Sequence, residues 1–231
     1  KIEKLKSIGA LAGGIAHDFK NILVGLYGNI SLAKELLDRH DPAYQSLEEA
    51  EKSMSRAVQL TRQLLTFSKG GTPIKEDVCL GALIEEIARF DLSGSAIRLC
   101  YQDCGNVRTI LADKGQIQQV ISNLVINARQ AMPNGGHLTI TLENVDLAPN
   151  NMLGLQSGCY VKVTVQDTGP GIDPELLGKI FDPYFTTKTT GSGLGLTTVW
   201  SIIHKHDGHI QVESKKGQGT SFIIHLPAST T

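Results

Sequence analysis

Apolar residues near the N-terminal end recur at steps of three and four: Ile2, Leu5, Ile8, Leu11 or Ala12, Ile15, Phe19, Ile22, Leu26, Ile30, Ala33 and Leu37. That period lays them along one stripe of a helix and predicts a long amphipathic element. A second run of the same period, Leu47, Ala50, Met54, Ala57, Leu60 or Thr61, Leu64 and Phe67, follows the short turn Arg39-His40-Asp41-Pro42. Two such helices form a hairpin with too little surface to bury both seams by itself, so a homodimer built as a four-helix bundle is expected. Ser68-Lys69-Gly70-Gly71-Thr72-Pro73 then breaks the pattern and reads as a hinge.

Past the hinge both periods occur. Helices are predicted near Leu80 to Phe90, Lys114 to Met132 and Leu194 to Lys205. Strands are predicted near Ala96 to Gln102, Arg108 to Leu111, His137 to Asn144, Tyr160 to Gln166, His209 to Glu213 and Ser221 to Leu226. In the fourth of these, Val161, Val163 and Val165 share a face. The expected organisation is therefore a helical hairpin over residues 1–70 and an α+β domain over residues 74–231.

Composition narrows the partners. With 41% hydrophobic and 19% charged residues in 231, the chain has a core to bury and is neither disordered nor a fibre. Its 22 basic residues against 23 acidic ones leave a net charge of −1, which offers no field for nucleic acid or an acidic membrane, so any anion has to be bound locally. The most apolar stretch, Ser7 to Ala16, is far short of the ~18 residues a membrane span needs, and no signal peptide is expected among these residues. No membrane contact is expected within this chain. Cys79, Cys100, Cys104 and Cys159 have neither paired CxxC nor His-spaced ligand patterns, which favours reduced thiols over a metal site or disulfides and a cytoplasmic location.

Four short segments carry candidate chemistry. In His17-Asp18-Phe19-Lys20-Asn21, at about 100° per residue, His17 lies about 200° from Ile15 and Phe19 and faces away from the seam. Asp18 and Asn21 can both reach its ring, and Gly13 and Gly14 leave room beside it for a second domain. A carboxylate on Nδ1–H fixes the tautomer and leaves Nε2 as a nucleophile, although an exposed His-Asp pair is also an ordinary surface feature. Asn123 and Asn127 share a face of the helix whose apolar side is Ile117, Val120, Ile121, Leu124 and Ala128. Stacked amides suit Mg²⁺ with nucleotide phosphates, and they are equally at home as plain helix-surface residues.

The third segment, Asp167-Thr168-Gly169-Pro170-Gly171-Ile172, follows the Val-alternating strand. A strand-end carboxylate can accept from an exocyclic amine while the glycines let backbone approach a flat ligand; the alternative is a tight turn and nothing more. The fourth, Gly191-Ser192-Gly193-Leu194-Gly195-Leu196, opens a helix and is flanked by Thr187, Lys188, Thr189 and Thr190, a setting suited to phosphate. Its spacing matches neither GxGxxG nor GxxxxGK[ST], and a Gly-rich linker is the bland reading. Before it, Phe181-Asp182-Pro183-Tyr184-Phe185 offers either an aromatic anchor for a lid or a core cluster. Gly217-Gln218-Gly219-Thr220 reads as a hairpin turn whose Thr220 reaches toward a base.

Taken in order, these segments make the chain resemble, over nearly its whole length, the kinase core of two-component sensor histidine kinases. His17 to Asn21 resembles the phosphoacceptor box, Asn123 to Asn127 the N box, Asp167 to Gly171 and Gly191 to Gly195 the glycine boxes, and Phe181 to Phe185 the F box. Gly13-Gly14-Ile15-Ala16-His17-Asp18-Phe19 is similar to the subgroup related to nitrogen-regulation and hybrid kinases, with Lys20 where that subgroup often has Asn. His206-Asp207-Gly208 departs from the usual His-Gly-Gly.

The resemblance implies a dimeric phosphotransfer hairpin followed by a Bergerat-type α/β sandwich that binds ATP and Mg²⁺. It implies His17 as nucleophile, Asp18 as general base or orienter, and Asn21 as a contact to the transferring phosphoryl group or a positioner of water. Asp167 would pair with adenine, helped by Gly169, Gly171 and Thr220, and Asn127 would hold the metal with Asn123. Phe185, Lys188, Gly191, Gly193, Leu194, Gly195 and Leu196 would surround the nucleotide. The phosphoryl acceptor would be an aspartate on a response-regulator receiver domain. A start in mid-helix at Lys1 without Met makes an excised piece of a longer protein the expectation. The competing readings are a Bergerat-type ATPase or serine kinase, which would not need His17, and a non-catalytic dimeric scaffold, against which Asn127, Asp167, Gly193 and Gly195 stand.

Overall fold

The computed structural model describes residues 22–38, 41–51, 54, 73–188 and 191–229. The chain divides into two compact units, Lys1–Gly71 and Thr72–Thr231.

In the first unit, α1 covers residues 22–35 and α2 residues 42–51. The sequence Asp41-Pro42 starts α2 because the Asp41 carboxylate accepts from Ala43 N–H at 2.8 Å while Pro42, which has no N–H to satisfy, occupies the first helical position. Across the hairpin the Glu51 carboxylate accepts from Lys34 Nζ at 2.7 Å and Ser31 Oγ at 2.9 Å, and Lys34 Nζ sits 5.2 Å from the Tyr44 ring centre. Leu23 is buried, yet the seam residues Ile22 and Leu26 remain 60% and 47% exposed. One hairpin thus leaves part of its apolar stripe uncovered. His17, Asp18, Asn21, Gly13, Gly14 and the hinge residues 68–72 lie outside the described residues.

The second unit is a two-layer sandwich. Its main sheet has the order β2-β4-β5-β7-β6, where β2 is Ile97–Asp103, β4 Gly136–Leu147, β5 Gly158–Asp167, β6 His209–Lys215 and β7 Gly219–Pro227. Only β2 and β4 run parallel; the other neighbours are antiparallel. Three helices, α3 (Leu80–Asp91), α4 (Lys114–Ala131) and α6 (Gly195–Lys205), join a single apolar core with the sheet. The predicted alternation holds at Val161, Val163 and Val165, all buried in one core cluster with Ile117, Ile121, Leu124 and Val125 of α4. Burying side chains of that size stabilises by roughly 1.5–3 kcal/mol each.

Four elements differ from the sequence expectation. The short strand β1 (Glu76–Val78) exists through its antiparallel pairing with β3 (Ile110–Ala112), not through any alternation of its own. The single turn α5 (Pro174–Leu177) is set by Asp173, whose carboxylate accepts from Glu175 N–H at 3.3 Å, and by Pro174 after it. Strands β4 and β5 extend past their apolar segments because they pair with each other from Leu138↔Asp167 to Leu147↔Gly158. No described helix is long and apolar enough to cross a membrane.

Candidate nucleotide-binding site

Strand β5 ends on Asp167, which is only 7% exposed. Its Oδ1 accepts from Gly169 N–H at 2.8 Å, and the Thr220 N–H of the paired strand β7 also reaches the carboxylate. Burial raises its pKa above the ordinary carboxylate range, while the hydrogen bonds from Gly169 and Thr220 and the charge of Lys188 act in the other direction. A carboxylate held in this way is an acceptor placed in a low-dielectric setting before any ligand arrives.

The backbone around Asp167 leaves no room for larger residues. Gly171 and Gly219 both have positive φ, at 71° and 95°, and a Cβ on either would collide with backbone, at Lys215 and Asp167 respectively. Two further bonds clasp the 168–172 turn to the β6–β7 hairpin: Gly217 N–H donates to Pro170 O at 2.7 Å, and Ile172 N–H donates to Ser214 Oγ at 2.8 Å. Ser214 Oγ also lies 2.9 Å from both Gly219 O and Thr220 Oγ1.

Helix α4 supplies the second wall. Asp113 caps it by accepting from Gln116 N–H at 3.0 Å. The Asp113 N–H in turn donates to Nε2 of buried His206, whose Nδ1 bonds Ile202 O at 2.8 Å. The ring is therefore the Nδ1–H tautomer and neutral, and burial holds its pKa below the usual histidine value. His206 so ties the C-terminal end of α6 to the N-terminal end of α4. Along α4, Asn123 and Asn127 look toward the start of α6: a Cβ on Gly195 would lie 3.6 Å from Asn123 Oδ1 and 4.0 Å from Asn127 Nδ2. Asn123 Nδ2 is buried and makes no hydrogen bond.

The third wall is residues 181–188 and 191–196. Phe181 and Phe185 are partly buried and pack against the core, while Tyr184 stays 57% exposed at φ 63°. Gly193, at φ 67°, lies so close to Tyr184 that any Cβ would strike its backbone. Thr197 Oγ1 reaches Phe181 O at 3.3 Å and Gly193 O at 3.5 Å, joining the two stretches again. Leu194 is buried, and Leu196 packs against the core, so these two act through packing. The surface residue Lys188 donates to Gln130 Oε1 at 2.8 Å; crowding of its ammonium by protein lowers its pKa, against the pull of Asp167.

Of the residues expected from sequence, Asn123, Asn127, Asp167, Gly169, Gly171, Phe185, Lys188, Gly191, Gly193, Leu194, Gly195, Leu196 and Thr220 all belong to this one unit, on the segments just described. Thr189 and Thr190 lie outside the described residues. Ser214, Gln130 and His206 were not among the expected site residues. Ser214 was accessible from the turn Gly217-Gln218-Gly219, since closing that hairpin sets Ser214 opposite Thr220. All four cysteines are exposed free thiols, and among the described residues no cluster of three or more His, Cys, Asp or Glu side chains is arranged to hold a metal.

Chemically, the unit offers a buried acceptor at the end of β5 with the charge of Lys188 acting on it, two neutral amides on α4, and the N-terminus of α6 facing those amides. Such a set suits a ligand with an amine-bearing flat ring and an anionic tail.

The sequence profile of histidine kinase-, DNA gyrase B- and HSP90-like ATPases matches residues 112–230, and that of the His Kinase A (phospho-acceptor) domain matches residues 7–73. Sensor kinase CckA of Brucella abortus (strain 2308) is 39% identical over 235 residues, which is 97% of this chain and 25% of that protein. Full-length ShkA in complex with AMPPNP shares the fold at TM-score 0.77 and 24% identity, over 96% of this chain and 46% of that one. Histidine kinase ThkA in complex with the response regulator protein TrrA superposes at TM-score 0.62 with 27% identity, over 98% of this chain and 64% of its own. The chain spans 25% to 48% of the length of the first curated relatives it matches.

Proposed function

The chain belongs to the histidine kinase-, DNA gyrase B- and HSP90-like ATPases and, with a phospho-acceptor domain ahead of that unit, is a two-component histidine kinase core; from this premise we propose that it uses ATP to phosphorylate its own His17 and passes the phosphoryl group to an aspartate of a response-regulator receiver domain. The observation that carries the proposal is Asp167: a buried carboxylate at the end of β5, already ordered by Gly169 and Thr220, facing where an adenine amine would donate. Gly169 and Gly171 let the ring approach, and Thr220 borders it. The first-turn amides of α6 at Gly195 and Leu196, the Gly191 to Leu194 stretch and Lys188 receive the phosphates, with Phe185 anchoring that segment in the core.

Mg²⁺ fits the amide pair. Asn127, helped by Asn123, offers hard oxygen ligands without adding charge, and the Asn123 amide nitrogen, buried without a hydrogen-bond partner, is a donor for a ligand oxygen beside the ion. When bound, the ion neutralises charge on the phosphates. Everything else falls to the chain. His17 Nε2 attacks the γ-phosphorus, the bond to the β–γ bridging oxygen breaks, ADP departs, and Asp18 holds or takes the proton on Nδ1. Asn21 contacts the transferring group, and residues 68–73 act as the hinge between a phosphotransfer domain at 1–70 and an ATP-binding domain at 74–231. The exposed Ile22, Val24, Leu26 and Leu32 support a homodimeric four-helix bundle as the setting, since apolar side chains 47% to 60% exposed gain most from a second copy. The Gly13 to Phe19 phrase supports the nitrogen-regulation and hybrid-kinase subgroup.

The test is the His17→Gln variant incubated with γ-labelled ATP. Label should vanish while ATP affinity stays within twofold of the parent chain. Label that survives would move the acceptor to another residue.

A further inference from the structure

Ser214 lies outside the set of residues assigned to the nucleotide, yet its hydroxyl has three partners. Ile172 N–H stands 2.8 Å away, Gly219 O 2.9 Å and Thr220 Oγ1 2.9 Å. A hydroxyl has one proton to give and two lone pairs to receive with. The Ile172 amide can only donate, and the Gly219 carbonyl can only accept. Ser214 must then send its single proton to Gly219 O and accept from Ile172. The third contact is made only if Thr220 donates its own hydroxyl proton to Ser214. Thr220 is left with lone pairs alone for any other neighbour.

Thr220 is 6% exposed and pairs with Asp167 in the β5–β7 register. The base-facing end of the site thus presents a carboxylate and a hydroxyl that both act as acceptors. We propose that Ser214 is a positioning residue for base selection: by consuming the Thr220 proton it makes the pocket accept a purine with an amine at the 6-position and reject one with a 6-oxo group. An amine donates to such a pair, whereas a carbonyl oxygen meets two acceptors with nothing to give. This rests on the reading of Asp167 as the adenine partner.

The experiment compares binding of ATP and its deaminated counterpart ITP by the full chain, using calorimetry. The two ligands share their triphosphate, so the ratio of dissociation constants reports on the base alone. In Ser214→Ala the Thr220 hydroxyl is free to turn and donate to the 6-oxo group, and the ITP-to-ATP ratio should fall about tenfold. Ser214→Thr keeps a hydroxyl in place and should retain the parent ratio. Thr220→Val removes the second acceptor and should lower the ratio as well, which decides the matter if Ser214→Ala does not fold. Combining Thr220→Val with Ser214→Ala should lower it no further, since both act on one hydrogen bond. A ratio unchanged in Ser214→Ala, or in Thr220→Val where Ser214→Ala does not fold, with ATP still bound by the parent, would overturn the role of Ser214 while leaving the nucleotide site standing. No binding of ATP by the parent chain would overturn both.

Discussion

Replacing Gly193 by alanine should cripple nucleotide binding with little effect on the fold. Gly193 has φ 67°, a region where a Cβ costs about 1–2 kcal/mol. The added carbon would also stand 2.6 Å from both Tyr184 Cα and Tyr184 O, against about 3.5–4.0 Å for comfortable contact, so that backbone must retreat by about an ångström. Overpacking of this kind costs ~1–3 kcal/mol. Even the lower sum, ~2 kcal/mol, shifts the 191–195 stretch away from its observed position about thirtyfold, and ATP affinity should fall by at least that factor. Because the stretch can move without disturbing the main sheet, Tm should change by no more than about 4 °C. Gly178→Ala is the control: it has φ −68° and no atom within 4 Å of the new carbon. Calorimetric titration with ATP and thermal denaturation of both variants decide the point. ATP affinity within twofold of the parent in Gly193→Ala, or an equal loss in Gly178→Ala, would refute the packing argument.

Two further outcomes follow from the same geometry. Asp167→Asn should keep the fold and lose about ten- to a hundredfold in ATP affinity, the worth of a hydrogen bond to a charged acceptor; titration within twofold of the parent would remove Asp167 from the base site. Stability should fall as pH drops from 7.5 to 5.5, because burial holds the pKa values of His206, His209 and His225 below the usual value, so below about 6.5 the unfolded chain takes up protons first. Urea unfolding of His206→Gln at both pH values should show a shallower pH dependence, by up to about 1.4 kcal/mol per pH unit; equal slopes would mean that His206 titrates normally.

What the sequence made legible, and what it did not, divides along physical lines. The period of α4 was plain because one face of a helix of 18 residues carries its apolar set, and the amides of Asn123 and Asn127 then share a face by geometry alone. Asp167 was visible as a carboxylate ending a run of alternating valines. β1 was not, since three residues hold together only through β3, which lies over thirty positions away in the chain. The packing of Phe181 and Phe185 was undecided because an aromatic run reads alike in a lid and in a core. The bond from Asp113 N–H to His206 joins residues 93 positions apart, and no local pattern announces it. Of the expected seam, Ile22 and Leu26 lie exposed while Leu23, which is not part of it, is buried, and periodicity alone could not tell the face turned to the partner helix from the one left open.

The central claim is that phosphate moves from ATP to a histidine of this chain. Incubating it with γ-labelled ATP and Mg²⁺, then exposing the labelled protein to acid and to alkali, tests this most directly. A phosphoramidate on His17 predicts label that survives alkali and is lost in acid. Label stable to acid would place the phosphate on a hydroxyl and contradict the account.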